Sequence, residues 1–202
     1  MRRLIFAITL AALPFAAEAG PTVITAFGNS LFAGLGVPPE ETLPAQLERK
    51  LKADGHDVKV NNDSISGDTT AGGLARIDHV LDGHPDIVIL ELGANDMFRA
   101  LAPEDARTNL DAILAKLKDA HIKVVVVGQK AAASFGKKYS SKFNPLFCEL
   151  AQKYEAPCYP FFYDGFLGHP EYLQSDGAHP TSEGAKFVME KLYPLIVSRI
   201  KK

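Results

Sequence analysis

Asp86-Ile87-Val88-Ile89-Leu90-Glu91-Leu92 and Ile122-Lys123-Val124-Val125-Val126-Val127 decide the fold class of this chain. Their apolar residues follow one another instead of alternating with polar ones, so both faces of each strand are expected to be covered. Between them, Pro103–Ala120 repeats Leu110, Ile113, Leu114 and Leu117 at helical spacing. Two strands buried on both faces, joined through a helix, form a right-handed crossover unit of a parallel sheet.

The same alternation continues in both directions. Thr22–Phe27, Val58–Val60 and Pro157–Pro160 read as further strands, while Glu41–Ala53, Thr70–Leu81, Lys142–Tyr154 and Ser182–Ile200 read as helices. The expected architecture is α/β, a three-layer α/β/α sandwich around a parallel sheet. No repeat, low-complexity linker or composition break divides it, so residues 20–202 are expected to be one domain. In such sheets ligands bind beyond the carboxyl ends of the strands.

Residues 1–19 are read as a secretory signal peptide. Arg2 and Arg3 precede an apolar run from Leu4 to Ala16, and Ala17-Glu18-Ala19 supplies a small-x-small cleavage pattern. The apolar run is too short to span a bilayer. Cleavage after Ala19 would place the chain in the periplasm or outside the cell with no stable membrane anchor. It would also move the formal charge from −2 to −3, because two Arg and one Glu leave. A mildly acidic chain with no basic stripe argues against nucleic acid as a partner. A monomer acting on a small molecule is expected. Cys148 and Cys158 either close a disulfide in an oxidising compartment or serve as two small buried apolar side chains.

Four segments between the periodic elements concentrate polar residues, and all four are expected to be loops. They are Gly28-Asn29-Ser30-Leu31, Ser64-Ile65-Ser66-Gly67-Asp68-Thr69, Gly93-Ala94-Asn95-Asp96 and Asp176-Gly177-Ala178-His179. A serine hydroxyl needs a neighbouring base to become a nucleophile. Imidazole suits that task near neutral pH, and a carboxylate orients the imidazole. Three His-Pro pairs occur, but only His179 has an Asp three residues earlier; Leu81 and Phe166 stand in that place before His84 and His169. The pair Gly34-Leu35-Gly36 lacks the third glycine of a nucleotide loop. Asp68, Glu91 and Asp96 show no metal-ligand spacing, so loop hydrogen bonding is the expected role and no metal or cofactor is expected.

With these four blocks in this order, the chain resembles the SGNH hydrolases of the GDSL esterase/lipase family. It is most similar to their bacterial periplasmic branch of multifunctional thioesterases, lysophospholipases and arylesterases. The resemblance runs from about Thr22 to the C-terminus. It implies a flavodoxin-like fold and hydrolysis of carboxylic esters, with thioesters or lysophospholipids as related substrates. Carried over by residue, it implies Ser30 as nucleophile, His179 as general base and then acid, and Asp176 as the group orienting His179. It implies an oxyanion hole made by the N–H groups of Ser30 and Gly67 and the amide of Asn95.

One position departs from the family pattern. The Asp that usually precedes the serine is Asn29, which keeps the size but removes a charge. A carbohydrate or cell-wall O-acetyl esterase would use the same site. A non-catalytic periplasmic binding protein on the same fold is the alternative of another class. Met97, Phe98, Leu101 and Phe135 either line an acyl pocket or cover the edge of the core. The aromatic cluster Phe161, Phe162, Tyr163 and Phe166 is read as packing that holds the Asp176–His179 loop.

Overall fold

The structure is a computed structural model that describes residues 20–200. The expected signal peptide lies outside the described residues. Five parallel strands form one sheet in the order β2-β1-β3-β4-β5. They are β1 (Thr22–Gly28), β2 (Val58–Asn62), β3 (Ile87–Glu91), β4 (Lys123–Val127) and β5 (Cys158–Tyr159). This order is the flavodoxin-like one.

The apolar character of β3 and β4 is divided between two cores. Ile87, Ile89, Val125 and Val127 face one layer, with Ile24 and Ala26 of β1 beside them. That layer is formed by α1 (Ser30–Ala33), α2 (Leu43–Ala53) and α7 (Ser182–Val197). Val88, Leu90, Val124 and Val126 face the other, formed by α3 (Thr70–Asp82), α5 (Pro103–Asp119) and α6 (Gly136–Lys153). The expected stripe of α5 is buried: Leu110, Ile113, Leu114 and Leu117 are each no more than 2% exposed.

Three helices differ from expectation. The chain after β1 and the chain after β3 are helical at once: α1 begins at Ser30, and α4 spans Ala94–Phe98. Helices of four or five residues are too short to show periodicity. Helix α6 begins at Gly136, six residues before the expected Lys142. Its first turns carry no aliphatic stripe, and an aromatic ladder anchors them instead. Phe135, Tyr139, Phe143 and Phe147 follow at intervals of four, with successive ring centroids 5.2, 5.4 and 5.3 Å apart.

The two cysteines form a disulfide, Cys148–Cys158, with a Cα–Cα distance of 5.4 Å. It ties α6 to the edge strand β5, which is only two residues long. Among the described residues, no helix is long and apolar enough to cross a membrane.

Candidate active site

The strand order reverses between β1 and β3, and their last residues, Gly28 and Glu91, are register partners. Ser30 follows the first strand and Asn95 the second, so both project at the switch point where α/β sheets take ligands. Asn29, with an extended backbone, is the N-cap of α1: its Oδ1 accepts from the Leu31 N–H at 3.0 Å. This leaves Ser30 at the first helical position. Its N–H meets no acceptor among the described residues.

The catalytic candidates at opposite ends of the chain meet here. The Ser30 hydroxyl lies 2.9 Å from His179 Nε2, and His179 Nδ1 lies 2.7 Å from Asp176 Oδ2. With the Nδ1–H donating to Asp176, Nε2 is the acceptor for the serine proton. Asp176 also accepts from the backbone N–H groups of Ala178 and His179 through Oδ1, at 2.9 and 3.0 Å. These bonds, led by the one from His179, pull the Asp176 carboxyl down to about 2 although its side chain is 48% exposed. The tight turn is held from below. The Tyr163 hydroxyl donates to the Ala178 carbonyl at 2.8 Å, and Phe162 and Phe166 beneath it are fully buried. Thr181 then caps α7 by accepting from the Gly184 N–H.

Gly67 and Asn95 are stitched to this point by three hydrogen bonds. The Ile65 N–H donates to the Gly28 carbonyl at 3.0 Å. Asn95 Nδ2 donates to the Asp68 carbonyl at 2.8 Å, leaving its second amide hydrogen available. Arg99 Nη2 donates to the Gly67 carbonyl at 2.7 Å. Gly67 has φ +83°, and a Cβ there would meet nothing closer than 3.8 Å. Backbone conformation, not crowding, therefore calls for glycine at this position.

The apolar candidates divide. Met97 is buried in the core layer of α5, and Phe135 packs against that layer. Phe98 and Leu101 stand at the surface, 60% and 39% exposed. The acidic residues weighed as metal ligands have protein partners. Asp68 pairs with Arg76 at 2.7 Å. Asp96 accepts from the Thr70 N–H at 2.9 Å and the Thr70 hydroxyl at 2.5 Å.

Glu91 and Gln129 were not legible as site residues. Glu91 is fully buried, no cation among the described residues pairs with it, and burial pushes its carboxyl up to about 8. Its Oε1 accepts from Asn29 Nδ2 at 3.0 Å and Gln129 Nε2 at 2.8 Å; its Oε2 lies 3.3 Å from the Asn29 N–H. The available signal was a charged residue closing a strand that is otherwise apolar on both faces.

Comparison with known proteins agrees with the geometry. Residues 26–187 match the model of the GDSL-like lipase/acylhydrolase family. The chain is 37% identical over 191 residues to an arylesterase of Vibrio mimicus, covering 94% of this chain and 95% of that one. It is 33% identical to thioesterase 1/protease 1/lysophospholipase L1 of Escherichia coli K12, covering 93% and 90%. The crystal structure of TesA superposes with a TM-score of 0.83 at 32% identity, over 88% of this chain and 99% of that one.

Proposed function

The chain belongs to the GDSL-like lipase/acylhydrolase family, and on that premise we propose that it is a serine esterase acting on carboxylic esters, with thioesters and lysophospholipids in the same range. The observation that carries this reading is the unbroken series from the Ser30 hydroxyl through His179 to Asp176, at 2.9 and 2.7 Å.

In the proposed reaction, Ser30 Oγ attacks the acyl carbonyl carbon as its proton passes to His179 Nε2. The N–H groups of Ser30 and Gly67 and the free amide hydrogen of Asn95 stabilise the oxyanion. The bond to the leaving oxygen or sulfur then breaks, and His179 returns its proton to the alcohol or thiol. A water deprotonated by His179 attacks the acyl-enzyme, which releases the carboxylic acid and restores Ser30. Asp176 holds the imidazole in the tautomer this requires. The imidazole must be neutral to accept the proton. Phe98 and Leu101 offer the acyl chain an exposed apolar surface, while Met97 and Phe135 support it from the core. Export by residues 1–19 to the periplasm or beyond agrees with the Cys148–Cys158 bridge, since disulfides persist in oxidising compartments.

A fluorophosphonate probe tests the reading, because only an activated serine reacts with it. Intact-mass analysis is expected to show one adduct, mapped to Ser30, and none on Ser30→Ala. A folded wild-type protein that takes no label would leave a binding protein on a hydrolase fold.

A further inference from the structure

Ser30 is held by its side chain against His179, and the residue before it, Asn29, is held in a buried polar cluster that the reaction does not use. That cluster is built by three neighbouring segments. Gly28 closes β1 beside Glu91, and a Cβ at Gly28 would lie 2.9 Å from Glu91 Oε2, so the glycine makes room for the carboxyl. Asn29 follows and is 0% exposed. Gln129, 1% exposed, arrives from the end of β4. Asn29 bridges the cluster and the helix: Nδ2 donates to Glu91, and Oδ1 accepts from Leu31 in the first turn of α1. The Glu91 carboxyl therefore sets the orientation of the amide that caps the helix on which Ser30 stands.

We infer that Asn29 and Glu91 are a matched pair of positioning residues, and that the amide at 29 keeps the nucleophile turn in register at alkaline pH. This rests on Ser30 being the nucleophile. The difference lies in where one hydrogen resides. An amide hydrogen stays on nitrogen whether Glu91 is protonated or ionised, so the Asn29–Glu91 bond survives in both states. A carboxyl at 29 would have no such hydrogen. Two buried carboxyls at this distance must share one proton, and they repel once it leaves. The groups facing the pair are the neutral Gln129, the Tyr163 phenol and, across the Gly28 carbonyl, Arg76. The Tyr163 phenol is held protonated by burial and by Glu91 itself. Arg76 is already engaged by Asp68. None of them replaces the missing hydrogen.

The test is a swap. Asn29→Asp, Asn29→Asp with Glu91→Gln, and wild type are compared by kcat and KM on an activated butyrate ester from about pH 6 to about pH 10, which spans the range in which deeply buried carboxyls lose their proton. Far-UV circular dichroism and thermal melts follow folding at each pH. The kcat of Asn29→Asp relative to wild type is expected to fall at least about tenfold across that range, with KM little changed, as the pair loses its proton. The double variant returns a fixed hydrogen between the two positions and is expected to recover most of the alkaline loss. A ratio that stays flat with pH, or a double variant no better than Asn29→Asp, overturns the inference. Should Asn29→Asp not fold, Glu91→Gln and Glu91→Leu decide. Gln keeps an acceptor for Asn29 and is expected to exceed Leu at least about tenfold in kcat; equal rates overturn the inference. A wild type that takes no fluorophosphonate label would instead end the esterase reading. The pH dependence of the melts would then still report on the coupling.

Discussion

Two carboxylates reach the Ser30 turn through hydrogen bonds from opposite surroundings. Asp176 lies on a half-exposed turn, receives three hydrogen bonds from the residues just after it, and has its carboxyl pulled down to about 2. Glu91 lies at the end of a central strand with no solvent and no cation, and is pushed up to about 8. The first is ionised whenever His179 needs a negative neighbour. The second is largely neutral at pH 7 and holds backbone, not imidazole. The difference teaches that local hydrogen bonding sets a carboxyl near the surface, whereas desolvation dominates once water is gone. In the proposed reaction it also separates the two contributions: Asp176 would belong to rate and Glu91 to the integrity of the turn.

The largest expected effect breaks this comparison at its exposed end. Asp176→Asn removes the charge beside His179 and lets the ring adopt the wrong tautomer, so kcat is expected to fall by about 10²- to 10⁴-fold. Steady-state hydrolysis of an activated ester, with folding followed by circular dichroism, measures it. A folded variant within about threefold of wild type would show that Asp176 does not orient the base.

The two ends of the comparison were not equally legible in the sequence. The triad could be read because its chemistry is packed into short motifs: Asp176 and His179 are three residues apart, and Ser30 closes a strand-like run. The parallel sheet could be read because β3 and β4 are apolar at successive positions. Glu91, Asn29 and Gln129 come from three segments, and each alone looks like a residue at a strand end. Only the register that sets Gly28 beside Glu91 makes them one unit. The helical state of Ser30 and Asn95 was hidden for a related reason: α1 is fixed by one Asn cap and a left-handed Gly34, and tertiary context, not propensity, decides so short an element. The first turns of α6 show no aliphatic periodicity, because an aromatic ladder anchors them instead.

The next effect sharpens the comparison at its buried end, where stability is the readout. The Glu91 carboxyl is raised from its ordinary 4.5 to about 8. Its stabilising neutral form is fully present below about pH 4.5 and is lost progressively as pH rises towards 8, because the unfolded chain ionises first. Urea unfolding at several pH values in that window is expected to show this slope in wild type, amounting to a few kcal/mol over the whole window. Glu91→Gln, which cannot titrate, is expected to flatten it. The variant should be less stable than wild type near pH 5, since one N–H loses an acceptor, and should close the gap towards pH 8. A difference between the two proteins that does not change with pH would mean that Glu91 is ionised in the folded state throughout.

The smallest expected effect returns to Asp176 and asks for near silence. Its carboxyl is depressed, so any stability it contributes is present above pH 3.8 and is lost as pH falls towards 2. The sign is opposite to that of Glu91, and the window lies below the pH at which the enzyme would work. The side chain is half exposed, and solvent screening there reduces the worth of a charged hydrogen bond. Asp176→Asn is therefore expected to melt within a degree or two of wild type at pH 7, in line with surface substitutions generally, although it loses most of its turnover. A large drop in melting temperature would mean that the Asp176–His179 turn supports the fold as well as the chemistry. The division of labour between the two carboxylates would then fail at its exposed end.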